Sequence, residues 1–178
     1  PRLLLSSSTL AINFQPAGAS VPAGYLIDAG EAYANRGNGE TYGWLGADNN
    51  RTRDRNSPNA SDQRYDTLNH LTDGPTVHTW EIALANGVYD VLLAAGDPAY
   101  TNQVNTFDLE GSTLTDPDGQ DNFDTFNTTV NVTDGKLTLT QGVGGVNAKV
   151  LFIEVTPQSA TQTLTAGYVN EDIGPVTI

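Results

Sequence analysis

The alternation of apolar and polar positions is clearest between Trp80 and Asp97, in the stretch WEIALANGVYDVLLAAGD. Two apolar segments flank Asn86-Gly87, and this dipeptide favours the positive φ angles of a two-residue hairpin turn. The pattern therefore predicts a β-hairpin whose apolar pairs share one face. The predicted pairs are Leu84–Tyr89, Ile82–Val91 and Trp80–Leu93. Residues 91–95 are apolar throughout, which is typical of a strand at the centre of a packed layer.

The same alternation predicts strands on both sides of this hairpin. Residues 9–15 alternate apolar and polar side chains, so they predict a first strand with one buried face. A second hairpin is predicted around Asp134-Gly135, with Val132 opposite Leu137 and Val130 opposite Leu139. The other predicted strands are residues 65–71, 106–110 and 148–155.

The number and spacing of these segments indicate the fold class. About eight short strands, separated by turn residues and accompanied by no convincing helix, predict an all-β antiparallel β-sandwich. A parallel β-helix would need a fixed short repeat, and the sequence contains none. We expect the sandwich to span residues 9–155, with 1–8 as a linker or frayed terminus. Residues 156–178 are expected to be a linker or the start of a neighbouring module.

Composition narrows the function classes. The chain has 8 Lys and Arg against 21 Asp and Glu, a formal net charge of −13, which disfavours nucleic acids and anionic lipids as partners. The same charge suits neutral ligands or divalent cations, or it is simply an acidic, solvated surface. The absence of Cys excludes disulfides, zinc–cysteine sites and catalytic thiols. The absence of Met indicates a processed or excised piece of a larger protein with covalently linked neighbours, and no apolar run is long enough for membrane insertion.

Catalytic motifs are absent from the sequence. It contains no G-x-S-x-G, no H-E-x-x-H and no Walker A pattern. A carboxylate pair suitable for glycoside hydrolysis would occur by chance among 21 acidic residues, so acidic content alone does not predict an enzyme. We therefore expect no catalytic activity.

Two loop regions carry candidate binding residues. Residues 30–46 are rich in glycine and aromatic rings, which predicts a loop that presents the rings or packs them over one end of the core. In the polar stretch 48–66, arginines alternate with aspartates. This alternation predicts either an internal Arg–Asp network that fixes a long loop or a polar site that binds sugar hydroxyls.

A third loop, TDPDGQDNFD at 115–124, is the densest acidic cluster. Calcium binds six to eight oxygen ligands, and closely spaced aspartates with a glycine allow the chain to wrap around it. The candidate ligands are Asp116, Asp118, Asp121 and Asp124, although their spacing differs from that of an EF-hand. A structural Ca²⁺ and an acidic loop tip without an ion are both consistent with this pattern.

A set of short motifs occurs in a characteristic order between about residues 10 and 155. They are INFQP (12–16), VPAGYLIDAGEAY (21–33), YGW (42–44), RYDTLNHL (64–71), NGVYDVLLAAGDP (86–98), VNVTDGKLTLTQG (130–142) and NAKVLFIEV (147–155). In these motifs the chain resembles the malectin-like, galactose-binding-like carbohydrate-binding modules. Such modules are attached to bacterial polysaccharide-degrading enzymes and surface proteins.

The resemblance implies a jelly-roll sandwich without catalysis, sugar binding by loops at one end or on one face, and often a bound calcium. Aromatic side chains of such modules stack on sugar rings, and Asp, Asn and Arg side chains bind the hydroxyls. The candidate ligand-binding residues are Tyr42, Trp44, Arg51, Arg53, Asp54, Arg64, Tyr100 and Asn102.

The sequence thus predicts a monomeric carbohydrate-binding module of a larger secreted bacterial protein, located outside the cell. Its partner is a polysaccharide or glycan, since an aromatic ring suits the apolar face of a pyranose. A calcium-stiffened structural or adhesion module of a large cell-surface protein is the alternative. A glycoside-active enzyme is the third interpretation.

Overall fold

Two large β-sheets stacked face to face form the part of the chain that the computed structural model describes, residues 8–46 and 51–158. This architecture confirms the predicted all-β sandwich. The only helix in the described ranges, α1 (Gln63–Asp66), has four residues. The strands are β1 (Leu10–Phe14), β2 (Leu26–Asp28), β3 (Ala34–Asn35), β4 (Thr41–Trp44), β5 (Thr52–Asp54), β6 (Thr67–His70), β7 (Thr72–Asp73), β8 (Thr76–Val77), β9 (Trp80–Ala83), β10 (Gly87–Gly96), β11 (Phe107–Leu109), β12 (Ser112–Leu114), β13 (Phe123–Val132), β14 (Lys136–Gln141) and β15 (Lys149–Pro157).

The larger sheet has the strand order β13-β10-β15-β1-β2, and β6 and β5 extend it beside the first residues of β15. The smaller sheet has the order β12-β11-β14-β9-β4-β3. Among the named strands of the described ranges, β1 and β2 are the one parallel pair. Strands β7 and β8 form a separate short hairpin.

The predicted hairpin over residues 80–97 is wrong, because its two strands lie in different sheets. β9 pairs with β4 and β14, whereas β10 pairs with β13 and β15. The predicted pairs Leu84–Tyr89, Ile82–Val91 and Trp80–Leu93 therefore do not form. Asn86 does not adopt the positive φ that the two-residue turn requires. Both segments are apolar because each presents one face to the interior of the sandwich.

The second predicted hairpin is wrong for the same reason. β13 and β14 lie in opposite sheets, and they pair with β10 and β9 rather than with each other. The two segments thus form one double-stranded ribbon that folds over, with Leu137 opposite Ile82 and Val132 opposite Gly87. At the fold, the Leu84 amide donates to the Gly135 carbonyl at 3.0 Å, and Asn86 Nδ2 donates to the Thr133 carbonyl at 2.8 Å. A ribbon folded in this way is the organisation of a jelly roll.

The first and last predicted strands are confirmed by β1 and β15, which pair side by side in the larger sheet. β15 continues to Pro157, slightly beyond the predicted boundary at 155. The predicted linker at 1–8 and the predicted tail at 156–178 lie largely outside the described residues. No helix in the described ranges is long and apolar enough to cross a membrane.

A buried carboxylate lies at the centre of the aromatic core. Asp28, which is fully buried at the end of β2, accepts hydrogen bonds from Trp44 Nε1 at 2.9 Å and from Trp80 Nε1 at 2.8 Å. It also accepts from the Gly30 amide at 2.8 Å. Burial raises the pKa of Asp28, and the three hydrogen bonds oppose that rise. The carboxylate thus satisfies both indole N–H groups of the core.

Candidate functional site

A polar groove of about 170 Å³ lies at one end of the larger sheet. Its lining residues lie at strand ends and in the adjoining loops. His70 is the last residue of β6, Lys149 is the first residue of β15, and Asp97 follows β10. The full lining, which we call the polar groove, is Arg55, His70, Asp97, Tyr100, Asn102, Asn147 and Lys149.

Buried charges fix the floor of the polar groove. Asp97, which is fully buried, accepts two hydrogen bonds from Arg55, one from Nε at 3.0 Å and one from Nη2 at 2.6 Å. Lys149 Nζ lies 3.9 Å from Asp97 Oδ2 and donates to Gln103 Oε1 at 3.1 Å. Burial lowers the pKa of Lys149 to about 8, with Asp97 opposing that shift and Arg55 adding to it. Two basic side chains therefore share one carboxylate, and the pairing holds all three in place.

Tyr100 forms an exposed aromatic wall of the polar groove. Its side chain is 54% exposed, and the guanidinium carbon of Arg55 lies 4.9 Å from the ring centroid. One face of the ring is thus covered by a cation that Asp97 holds in position.

Side-chain amides form another wall. Asn147 Nδ2 donates to Asn102 Oδ1 at 3.3 Å, and Asn147 Oδ1 lies 3.3 Å from His70 Nδ1. Asn147 adopts a positive φ of 52°, which asparagine tolerates better than most residues. The polar groove therefore combines an aromatic ring with hydrogen-bonding groups of fixed orientation.

The imidazole of His70 is expected to stay neutral at ordinary pH. Burial lowers its pKa to about 4, the charges of Lys149, Arg53 and Arg55 add to the shift, and the contact with Asn147 opposes it. Since the ordinary pKa is 6.5, the unfolded chain binds the proton first. The stabilisation that neutral His70 provides is therefore complete above pH 6.5 and is lost as the pH falls towards 4.

A proton NMR titration of the two histidine rings checks this expectation. The His70 signals should shift with a midpoint near pH 4. In the variant His70→Gln, the loss of thermal stability between pH 6.5 and 4 should be smaller than in the unaltered protein. A His70 midpoint of 6 or above would contradict the arrangement of charges in the polar groove.

The structure brings only part of the predicted ligand-binding set together. Tyr100 and Asn102 line the polar groove. Arg53 is exposed on β5 and does not line the groove, but its positive charge contributes to lowering the pKa of His70. Arg51 and Asp54 are partly buried beside it, and Asp54 accepts a hydrogen bond from the Asn56 amide at 3.3 Å.

Arg64 lies elsewhere, on the outer face of the larger sheet. It forms an ion pair with Asp62 at 2.6 Å, and its guanidinium lies 5.2 Å from the ring centroid of Phe152. The hydroxyl of Tyr25 bonds to Glu154 beside it. For Arg64, as for Arg55, the internal Arg–Asp network is the interpretation that the contacts favour.

The prediction that Tyr42 and Trp44 form a sugar-stacking platform is wrong. Both rings lie in the core, with 2% and 0% exposure, because β4 is an inner strand of the smaller sheet. The Tyr42 hydroxyl donates to the Ile27 carbonyl at 2.7 Å, and the Trp44 indole donates to Asp28. Residues two apart in a strand share a face, so the two rings point into the sandwich together.

An acidic cluster adjoins the polar groove. One carboxylate oxygen each from Asp116, Asp118 and Asp124 lies within 4.8 Å of the others, and the cluster could bind a metal ion. Asp121, the fourth predicted ligand, is not a member of this group. We use the name acidic cluster for Asp116, Asp118 and Asp124.

The buried member of the acidic cluster has an unsatisfied oxygen. Asp124 is 3% exposed; its Oδ2 accepts from Asn105 Nδ2 at 2.8 Å, whereas its Oδ1 has no hydrogen-bond partner. Burial raises the pKa of Asp124 to about 6, the neighbouring aspartates add to the rise, and Asn105 opposes it. A cation would satisfy the free oxygen and remove the repulsion, so these residues fit a hard divalent ion.

Sequence reasoning missed five of the lining residues, which are Arg55, His70, Asp97, Asn147 and Lys149. For Lys149, the signal was a single Lys at the start of an otherwise apolar strand, AKVLFIEV. A lysine at such a position is rarely fully buried unless it has a partner. Its partners, Gln103 and Asp97, are far away in sequence, so the pattern could not identify them.

A larger depression, of about 370 Å³, lies on the outer face of the larger sheet. Its lining includes Asp90, Leu92, Asn127, Thr129 and Glu154, without an aromatic ring. The polar groove is smaller, but it has an exposed ring and buried, paired charges. It is therefore the better candidate for a binding site.

Comparison with known proteins shows what this architecture shares with others. No protein-family model and no curated protein matches the sequence. Among solved structures, Bacillus subtilis protein YxiM has 22% identity and a TM-score of 0.60, over 85% of this chain and 40% of its own. The plant receptor-like kinase FER has 17% identity and a TM-score of 0.59, over 85% of this chain and 42% of its own. A calcium-binding mutant of Bacteroides uniformis β-glucuronidase 2 has 12% identity and a TM-score of 0.55, over 85% of this chain and 18% of its own.

These similarities establish a shared β-sandwich fold. This chain spans less than half of each of those longer proteins. In each of those proteins, a domain of this fold is one part of a longer chain.

Proposed function

We propose that this chain is a non-catalytic carbohydrate-binding module that binds a glycan in the polar groove. The observation that carries the proposal is Tyr100: an exposed ring, held on one face by Arg55, beside fixed amide groups. An aromatic face of this kind stacks on the apolar face of a pyranose. Asn102, Asn147 and His70 then supply donors and acceptors for its hydroxyls.

The preorganisation of the polar groove supports this function. Arg55, Asp97 and Lys149 are already paired, so a ligand does not have to immobilise them. Tyr100 is the one exposed large hydrophobic residue of the lining, and its support by Arg55 limits its movement. A neutral sugar therefore does not bear the entropy cost of ordering these charged side chains.

The charges of the polar groove favour binding over hydrolysis. Glycosidases use a pair of carboxyl groups on either side of the scissile bond. The groove lining has a single carboxylate, Asp97, which is fully buried and bonded twice to Arg55. We accordingly propose a role in attachment to a glycan outside the cell, within a larger secreted protein.

Replacement of Tyr100 with alanine tests the proposed function. A panel of plant and bacterial polysaccharides is first screened with the unaltered protein, and the best ligand is titrated by calorimetry. Loss of the ring should weaken binding about 10- to 100-fold, since stacking of one ring is worth roughly 1–3 kcal/mol.

Tyr33→Ala is the matched control for this experiment. Tyr33 is also a partly exposed ring with a cation over it, Lys136 Nζ at 5.2 Å, but it lies outside the groove lining. Its replacement should leave the affinity unchanged. Equal effects of the two substitutions, or no binding to any polysaccharide, would contradict the proposal.

We further propose that the acidic cluster holds a structural Ca²⁺. Asp116, Asp118 and Asp124 would supply carboxylate ligands. The observation that supports this site is the buried Oδ1 of Asp124, which has no hydrogen-bond partner. A calcium-binding mutant of Bacteroides uniformis β-glucuronidase 2 is among the solved structures that share this fold.

Calcium removal and one substitution test the ion site. One equivalent of Ca²⁺ is expected to bind in calorimetry and to raise the melting temperature relative to EDTA. Asp124→Asn should weaken Ca²⁺ binding at least 10-fold, because the amide supplies a weaker ligand than the carboxylate. Asp134→Asn, in the turn before β14, should leave it unchanged. A melting temperature indifferent to Ca²⁺ would contradict the site.

A structural or adhesion module stiffened by calcium is the second candidate, and the acidic cluster is the observation that favours it. In that case Ca²⁺ raises the melting temperature as above, but Tyr100→Ala has no binding phenotype. The two experiments therefore separate the two functions.

A further inference from the structure

The polar groove and the acidic cluster are joined by one stretch of chain. Residues 97–105, which we call the connecting segment, begin at the groove floor with Asp97 and carry Tyr100 and Asn102. They end at Asn105, which contacts the acidic cluster. The loop at 115–122 between β12 and β13, which we call the acidic loop, lies against this segment.

Asn122 of the acidic loop holds the part of the connecting segment that carries Tyr100. Its Nδ2 donates to the Asp97 carbonyl at 3.0 Å and to the Tyr100 carbonyl at 3.2 Å. Its own carbonyl accepts from the Asp97 amide at 2.8 Å. The position of the Tyr100 turn therefore depends on the position of the acidic loop.

Gln103 makes a second connection. Its Nε2 donates to the Asp121 carbonyl of the acidic loop at 2.6 Å, while its Oε1 accepts from Lys149 Nζ in the polar groove at 3.1 Å. Gln103 is fully buried, so neither bond can be replaced by solvent without exposing it. This side chain links the acidic loop to a basic group of the groove floor.

Asn105 connects the segment to the acidic cluster itself. Its amide donates to Asp116 Oδ2 at 2.7 Å, its Nδ2 donates to Asp124 Oδ2, and its Oδ1 accepts from the Lys149 amide at 3.3 Å. Two members of the acidic cluster thus hold a residue that also contacts the start of β15. Without a cation, the repulsion between the carboxylates acts directly on these contacts.

We infer that a divalent cation in the acidic cluster fixes the groove wall that carries Tyr100 and Asn102, so that glycan binding depends on calcium without contact between calcium and the sugar. This inference rests on the proposed function for its glycan, although the ordering of the wall does not need one. A cation removes the repulsion among the carboxylates and thereby orders the acidic loop. The bonds of Asn122, Gln103 and Asn105 then hold the connecting segment in a fixed position. By linkage, glycan and cation must raise each other's affinity by the same factor.

Hydrogen exchange of the protein without glycan tests the ordering directly. Exchange is measured in calcium chloride and in EDTA, and the amides of Asp97, Tyr100 and Asn105 report on the connecting segment. Each donates a hydrogen bond in the structure. These amides are expected to exchange at least 10-fold more slowly with calcium, whereas those of β9 should not change. Equal exchange in both conditions would overturn the inference.

Asn122→Ala separates this coupling from a direct bridge between calcium and sugar. The variant keeps all three carboxylates of the acidic cluster, so it should bind Ca²⁺, but the Tyr100 amide should respond less to the ion, because the two bonds from Asn122 Nδ2 are lost while those of Gln103 and Asn105 remain. Calcium should raise glycan affinity about 10-fold in the unaltered protein and by a clearly smaller factor in the variant. Asn86→Ala, which removes a comparable side-chain bond to the Thr133 carbonyl, is the control and should behave as the unaltered protein.

The outcomes also distinguish this inference from the proposed function. If calcium slows exchange at Tyr100 but no glycan binds, the coupling stands and the proposed function fails. If a glycan binds equally in calcium and EDTA and exchange is unchanged, the function stands and the coupling fails. A response of Asn122→Ala identical to that of the unaltered protein would indicate a direct calcium–sugar contact and would overturn the coupling.

Discussion

Replacement of Asp28 with alanine is expected to lower the free energy of unfolding by about 3–5 kcal/mol, since each unpaired buried donor costs roughly 1–3 kcal/mol. The substitution leaves the indole N–H groups of Trp44 and Trp80 without an acceptor, and both side chains are fully buried. The hydrogen bond from the Gly30 amide is lost as well. Removal of the buried carboxylate offsets part of this loss, because burial disfavours its charged form.

Urea unfolding, monitored by tryptophan fluorescence, measures this loss of unfolding free energy. Asp28→Asn retains one carbonyl oxygen, so its stability should lie between those of Asp28→Ala and the unaltered protein. The control is Asp90→Ala, which removes an exposed carboxylate that bonds to Thr129 and should cost less than about 1 kcal/mol. An effect of Asp28→Ala no larger than that of the control would contradict the role of this carboxylate.

Gly96→Ala is expected to cost more than about 3 kcal/mol, because it combines a positive φ with a clash against backbone. Gly96 has a φ of 125°, and a Cβ there would overlap the carbonyl oxygen of Asn122. It would also approach the Asn122 carbonyl carbon to 2.9 Å and Phe123 Cα to 3.0 Å. The variant must therefore shift the acidic loop away from β10, and we expect weaker Ca²⁺ binding together with the loss of stability.

Gly144→Ala is the control that separates the two causes. Gly144 also has a positive φ, 89°, but a Cβ at that position meets open space. The substitution should cost only about 1 kcal/mol, the usual penalty for alanine in this conformation. If Gly96→Ala is no more destabilising than Gly144→Ala, that result would contradict the close approach of β10 to the acidic loop.

The fold class could be predicted from the sequence because short alternating strands between turn residues are largely a local property. Strand partners could not be predicted in the same way. Asn86-Gly87 is a strong local signal for a hairpin, yet β9 pairs with β14 and β10 pairs with β13, and the paired residues are 27 to 59 positions apart in sequence. Alternation identifies the buried face of a strand, but the two inner faces of a sandwich carry the same pattern.

The candidate site was predictable only in part. Tyr100 and Asn102 follow a core strand directly, so their position in an end loop could be expected from the sequence. Tyr42 and Trp44 could not be placed, because the glycines around them resemble a loop although β4 is an inner strand. Lys149 and Arg55 meet Asp97 only through the tertiary fold.

The central claim, that the polar groove binds a glycan, is tested most directly by amide NMR spectra recorded during titration with the best oligosaccharide from the polysaccharide panel. The account predicts that the largest shift changes fall on Tyr100, Asn102 and Asn147. Changes centred on Asp90, Thr129 and Glu154 would place the ligand in the larger depression on the outer sheet face. Either that result or unchanged spectra with every sugar would contradict the account.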